Sequence, residues 1–176
     1  MVTEGSMTRL LLIVIGLMLA SCVDPHSVAG PNALQHLVEG QPIDIPPAFA
    51  ETRSRVPFTK QFDLVLPGRR SAFRVRGPRP TFLSIYPSPA IRLFRLERGD
   101  DLDDRNLKAR GWAGGWEIPR DVEVELEVSR EGDGRLYRVT PRGPLPLGEY
   151  AFMSQVDFER FSKYPNKAKL YSFGVD

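Results

Sequence analysis

The sequence predicts an all-β chain, a sandwich or barrel of about eight short strands, and two observations carry that expectation. The first is punctuation: 16 prolines and 15 glycines among 176 residues interrupt the chain too often for long helices and suit strands joined by turns. The second is period. From Phe58 onward apolar residues recur at every second position, as they do in strands with one face in a core and the other in water. Composition agrees with a globular chain, 41% hydrophobic and 26% charged, and the length suits one domain. A net charge of +2 is too small and too dispersed to direct the chain to nucleic acid.

The N-terminal element is a targeting segment. Leu10 to Leu19 read LLLIVIGLML, preceded by Arg9 and followed by the small residues Ala20 and Ser21, with Met7 as a second candidate start. As a helix this run covers about 15 Å, half of the roughly 30 Å hydrocarbon core, so it reads as a signal peptide and not as a membrane span. Leu19-Ala20-Ser21-Cys22 resembles the lipobox of bacterial lipoproteins. That resemblance implies removal of residues 1–21, diacylglycerol on the Cys22 thiol and an N-acyl chain, palmitate in type, on the new amine. Two or three acyl chains hold a protein at a membrane, where one holds it only weakly. The competing reading is an ordinary secretory signal with an accidental free cysteine. Val23, and not an aspartate, follows Cys22, which by the rule for such lipoproteins favours the periplasmic face of the outer membrane in a Gram-negative cell. Cys22 is the only cysteine, so an intramolecular disulfide is excluded.

Residues 22–55 read as the acylated cysteine and a flexible tether, because Pro42, Pro46 and Pro47 obstruct regular pairing. A short helical turn is expected near Asn32 to Val38, with Asn32 as its cap and Leu34, Leu37 and Val38 on one face. Residues 56–176 are the expected domain; with the tether they make 155 residues, enough to bury about 68–70% of the unfolded surface without a cross-link.

Within that domain Phe62, Leu64 and Leu66 alternate, and after the turn Pro67-Gly68 the pattern resumes at Phe73 and Val75, which predicts a hairpin. Phe82 to Tyr86 and Ile91 to Leu96 give two more strands around Pro87-Ser88-Pro89. Val122 to Val128 alternates apolar residues with glutamates and predicts one half-buried strand. The turn Glu131-Gly132-Asp133-Gly134 leads into Leu136 to Val139, and strands follow from Tyr150 to Met153 and from Leu170 to Val175. Residues 156–164 lack alternation and read as a loop with one helical turn.

Pro144-Leu145-Pro146-Leu147-Gly148-Glu149-Tyr150-Ala151-Phe152, with the closing Tyr171 to Val175, resembles the late strands of Ig-like and transthyretin-like sandwiches, uncharacterised bacterial envelope domains among them. The resemblance implies a single antiparallel β-sandwich, and a tyrosine hydroxyl at Tyr150 tied back to the preceding turn.

Catalytic groupings are missing from the sequence, so the chain is not expected to be an enzyme. His26 and His36 fall in the expected tether, with no ligand at metal-binding spacing and Cys22 taken by lipid, so neither a zinc site nor a Cys/His pair is expected. Asp100, Asp101, Asp103 and Asp104 crowd one loop, but the calcium-loop order fails, with no glycine sixth and no glutamate twelfth from Asp100; a solvated loop is the favoured reading. No cofactor is expected beyond the lipid.

Two surface features remain. Trp112 and Trp116 flank glycines and make either a platform for a sugar ring or partner side chain, or plugs of the domain's end. Arg69, Arg70, Arg74, Arg76 and Arg79 accumulate in one stretch; Arg74 and Arg76 make a stripe that either meets lipid phosphates or an acidic partner, or pairs with Glu123, Glu125 and Glu127. The resulting expectation is a membrane-anchored, non-enzymatic envelope lipoprotein, structural, accessory or assembly in role, acting through protein contacts. The alternative is an envelope glycan-binding module built on Trp112 and Trp116.

Overall fold

In a computed structural model, residues 33–54, 61–99, 103–112, 115–132, 134–163 and 167–176 are described. Fourteen strands fall among them, with one α-helix and one 3-10 turn. Six strands close on themselves: β7 (Ile91–Arg98), β13 (Gly148–Ser154), β14 (Lys167–Val175), β3 (Ala48–Ser54), β4 (Gln61–Pro67) and β8 (Asp104–Trp112). All six pairings are antiparallel, and β7 completes the ring by pairing Glu97 with Asn106 and Arg98 with Arg105 on β8. A second, five-stranded sheet runs β11 (Leu126–Glu131), β12 (Leu136–Pro141), β6 (Phe82–Ser84), β1 (Leu34–Val38), β2 (Gln41–Asp44).

The expected single sandwich is therefore corrected to a closed barrel with a sheet packed on its outside. Alternation reports which face of a strand is buried and says nothing of which strand comes next, so closure is not visible in it. It does account for the layering. Along β13, Ala151 and Met153 join the barrel interior with Leu64, Leu66, Phe94 and Leu170, while Tyr150 and Phe152 join Phe82, Val139 and Phe173 between barrel and sheet. Strands buried on both faces read as continuous apolar runs, as Tyr150-Ala151-Phe152-Met153 does.

Four local readings change with it. Residues 34–54, expected as tether and helical turn, form β1, β2 and the barrel strand β3, because the prolines sit at the exposed strand β2 and in the turn before β3, where no ladder bond is lost. The segment after Pro67 does not fold back on β4; β5 (Arg74–Val75) instead pairs in parallel with the end of β14. Val122 to Val128 is not one strand: β10 (Glu123–Val124) pairs with β7, Glu125 is the break, and β11 pairs with β12, so the alternating run passes from the barrel sheet to the second sheet. Residues 155–163 form helix α1 (Gln155–Lys163). Its start is set by Ser154, whose Oγ accepts the Asp157 N–H at 3.1 Å and donates to Asp157 Oδ2 at 2.6 Å. Phe161, a turn further on, is fully buried in the barrel cluster.

Among the described residues no helix is long and apolar enough to cross a membrane.

Candidate functional site

The registers fix two ends of the barrel. At one end lie Pro67, Arg98, Asp104 and Gly148; at the other, Gln61, Arg110, Ile91 and Ser154. Arg74 belongs to the first end, because it pairs with Gly174 beside the terminus of β14. Trp112 and Trp116 belong to the second, on the hairpin of β8 with β9 (Gly115–Glu117) that continues past Arg110. The two candidate surfaces thus fall at opposite ends of one barrel.

At the first end the loop between β4 and β6 carries all five clustered arginines. Val75 anchors it in the core between barrel and sheet, and backbone bonds from Gly174 to Phe73 (2.9 Å) and from Asp176 to Val75 (3.3 Å) hold it to β14. Arg74 then lies across the backbone of Gly174, where a Cβ would overlap its guanidinium. It ion-pairs with Glu149 and Asp176, donating its Nε to Asp176 Oδ2 at 3.0 Å. The hydrogen bond to Asp176 is the main cause that raises the Arg74 pKa, and the same contact, with the nearby charges of Arg70 and Arg76, lowers that of Asp176. Arg74 is thus a structural cation as well as a wall of the adjoining groove.

Glu149 is also the counter-ion of Arg105, which is 5% exposed. Arg105 donates to the carbonyls of Gly68 (2.8 Å) and Pro67 (3.1 Å) and reaches Glu149 Oε2 at 3.4 Å. Burial is the largest influence on Arg105 and disfavours its charge; Glu149 opposes it. The Ser71 N–H donates to the same carboxylate at 2.7 Å. The sequence gives no sign of this network, since Glu149 is one acid among many and its partners lie 44 and 75 residues away.

The groove itself has a volume of about 460 Å³ and is walled by His36 and Val38 of β1 on one side and by Arg74, Arg76, Arg79 and Thr81 on the other. Arg76 is exposed, and Val38 at 39% exposure offers an apolar rim. Arg79 is held lightly, to the Pro141 carbonyl at 3.3 Å and Glu127 at 3.5 Å. Glu39 is the one acid in the lining. The expected pairing of the Arg74/Arg76 stripe with Glu123, Glu125 and Glu127 is corrected: Glu123 takes Arg92 in a two-bonded contact at 2.7 and 2.8 Å, Glu125 takes Arg142, and Glu127 reaches Arg79 of the same cluster in place of Arg74 or Arg76. Guanidiniums on one wall and an apolar rim on the other suit an oxyanion attached to something greasy or extended.

His36, expected in the tether, is a buried member of β1 in ring contact with Phe82 (5.4 Å) and Phe73 (6.0 Å). Desolvation pushes its pKa below the ordinary 6.5. A base depressed in the folded state favours folding above its unfolded pKa, and that contribution is lost as pH falls below about 6.5 toward the folded value. Urea midpoints of the wild type are expected to fall between about pH 7 and 5, and His36→Phe to flatten that slope. An unchanged slope would place its source elsewhere.

At the second end, the β8–β9 register pairs Gly111 with Trp116 and Trp112 with Gly115, so the two tryptophans occupy positions of opposite parity. Their side chains lie outside the described residues, as do Cys22, His26, Asp100 and Asp101. Asp103 and Asp104 face Arg69 (2.9 Å) and Arg53 (3.0 Å), and among the described residues no three His, Cys, Asp or Glu gather as metal ligands. The Tyr150 hydroxyl donates to the Pro146 carbonyl at 2.8 Å, closing the turn before β13. Compared with protein-family models, curated proteins and solved structures, the chain matches none.

Proposed function

We propose that this chain is a lipid-anchored envelope protein that acts without catalysis, as an accessory or assembly factor, holding a partner protein at a set distance from the membrane. The observation that carries the reading is the placing of the two candidate surfaces at opposite ends of the barrel, the arginine groove at one and the Trp112–Trp116 hairpin at the other. A closed barrel whose two ends carry different residues suits a spacer between two different things. The anchor half of the reading rests on the lipobox at Cys22, and a tethered domain gains effective concentration without high intrinsic affinity. Protein is preferred to glycan because aromatic and arginine side chains are the ones that most often anchor protein interfaces.

A Cys22→Ala variant exported with a cleavable secretory signal is expected to leave the membrane fraction after a high-salt wash; a variant that still pellets would overturn the lipid anchor. A photo-reactive residue in place of Glu117, beside Trp116 on β9, is expected to cross-link in cells to one discrete protein. Glycan adducts alone would replace this reading with the glycan module.

A further inference from the structure

We infer that the arginine groove receives the anionic headgroup phosphates of the membrane in which the chain is anchored, so that the barrel stands on the bilayer with the Trp112–Trp116 hairpin pointing away. The inference rests on the lipid anchor of the preceding reading and goes beyond it by giving the domain an orientation. Three observations converge. First, Arg74, Arg76 and Arg79 face one groove of about 460 Å³ whose lining contains a single acid, Glu39. Guanidinium groups match phosphate oxygens two at a time. With Glu149 and Asp176 already on Arg74, and Arg79 held only at 3.3 and 3.5 Å, the cations left to an incoming phosphate are Arg76 and Arg79.

Second, the rim is apolar where a membrane-facing rim should be. Val38 is 39% and Ile43 45% exposed on the β1–β2 hairpin that forms the groove's wall. Cations beside exposed aliphatic side chains suit the boundary between headgroups and acyl chains. Third, covalent reach selects the occupant. Cys22 and Leu34, the first residue of β1, are twelve residues apart. Fully extended, that length spans at most about 40 Å. The wall of the groove is therefore the part of the fold tied most closely to the acylated cysteine, and the anionic surface it meets at highest local concentration is the bilayer itself.

The test uses the mature protein processed in cells, reconstituted into vesicles of phosphatidylcholine alone or with about one-third phosphatidylglycerol, and read by hydrogen exchange. Mass analysis of the N-terminus first establishes that Cys22 is acylated, so a failed anchor is recognised separately from a failed groove. Amides of residues 36–41 and 74–81 are expected to exchange several-fold more slowly on the anionic vesicles. The Arg76→Gln/Arg79→Gln variant is expected to lose that difference, the ratio of docked to undocked barrel falling by about thirtyfold at roughly fivefold per arginine. Its exchange elsewhere in the barrel should match the wild type, which shows that it is folded. Equal exchange on both vesicle types, or slowing that survives in the folded variant, overturns the inference. Protection that appears only on adding an envelope protein fraction overturns it too, in favour of an acidic protein segment in the groove.

Discussion

Glu149→Gln is expected to destabilise the fold by about 3–5 kcal/mol, the range found when one partner of a buried ion pair is removed. Glutamine keeps the shape of the side chain and deletes only the charge. Arg105 then remains at 5% exposure with two neutral carbonyl acceptors, Gly68 and Pro67, and no counter-ion. Arg74 loses one of its two carboxylates, and the Ser71 N–H exchanges a charged acceptor for a neutral one. Urea unfolding measures the loss directly. The control is Glu125→Gln, whose partner Arg142 is 64% exposed and whose pair is worth at most about 1 kcal/mol. A second comparison separates the charge from the packing: Arg105→Met combined with Glu149→Gln should recover part of the loss, because no buried charge is then left alone. If Glu149→Gln and Glu125→Gln cost the same, the barrel end is not held by this network.

That contrast shows what is legible in the sequence. Strand identity comes from alternation wherever a strand has one wet face, as in β11 and β12, or from an unbroken apolar run where both faces are buried, as in Tyr150 to Met153. Partnership does not, because alternation is local and pairing is not. The hairpin expected from Phe62 to Val75 fails for this reason: Pro67-Gly68 is a turn, but the chain beyond it finds the edge of β14, about 100 residues later in the sequence. Val122 to Val128 shows the opposite error. Its period never breaks, so the sequence offers no sign that Glu125 passes from one sheet to another; the apolar side chains stay inward on both sides of the break. In residues 34–54 the prolines mislead, since they obstruct a central strand but are compatible with an exposed one such as β2.

The candidate site divides in the same way. The arginine cluster is visible as composition, and the structure assigns its members different work. Arg74 is bound to Glu149 and Asp176, Arg69 faces Asp103, and Arg76 and Arg79 are left at the groove. Sequence spacing cannot make that distinction, because the carboxylates that hold Arg74 come from β13 and the end of β14. His36 looks incidental in the sequence because its burial depends on Phe73 and Phe82, far from it in the chain.

Phe173→Ala is expected to cost about 3–5 kcal/mol, the range for truncating a buried phenylalanine, and to lower the melting temperature by about 10 °C or more for a chain of this size. Phe173 is fully buried where barrel and second sheet meet. Its ring centroid lies 5.0 Å from Phe82 of the sheet, and 5.6 and 5.7 Å from Tyr150 and Phe152 of the barrel. Removing it therefore takes the shared contact from both layers at once, and aromatic pairs at such distances contribute beyond their area. Phe173→Leu refills much of the volume and should cost less than half as much. The neighbouring position adds a consequence at the groove, since the Gly174 N–H that holds β5 through the Phe73 carbonyl follows directly in the chain. Exchange at Gly174 and Val75 should accelerate in Phe173→Ala more than exchange at Leu64 and Leu107, which pack inside the barrel. Phe161→Ala, which empties the barrel interior and leaves the sheet contact intact, should show the reverse order. Identical exchange patterns in the two variants would mean that the interior of the barrel and the layer outside it unfold as one core, and that the groove has no independent link to Phe173.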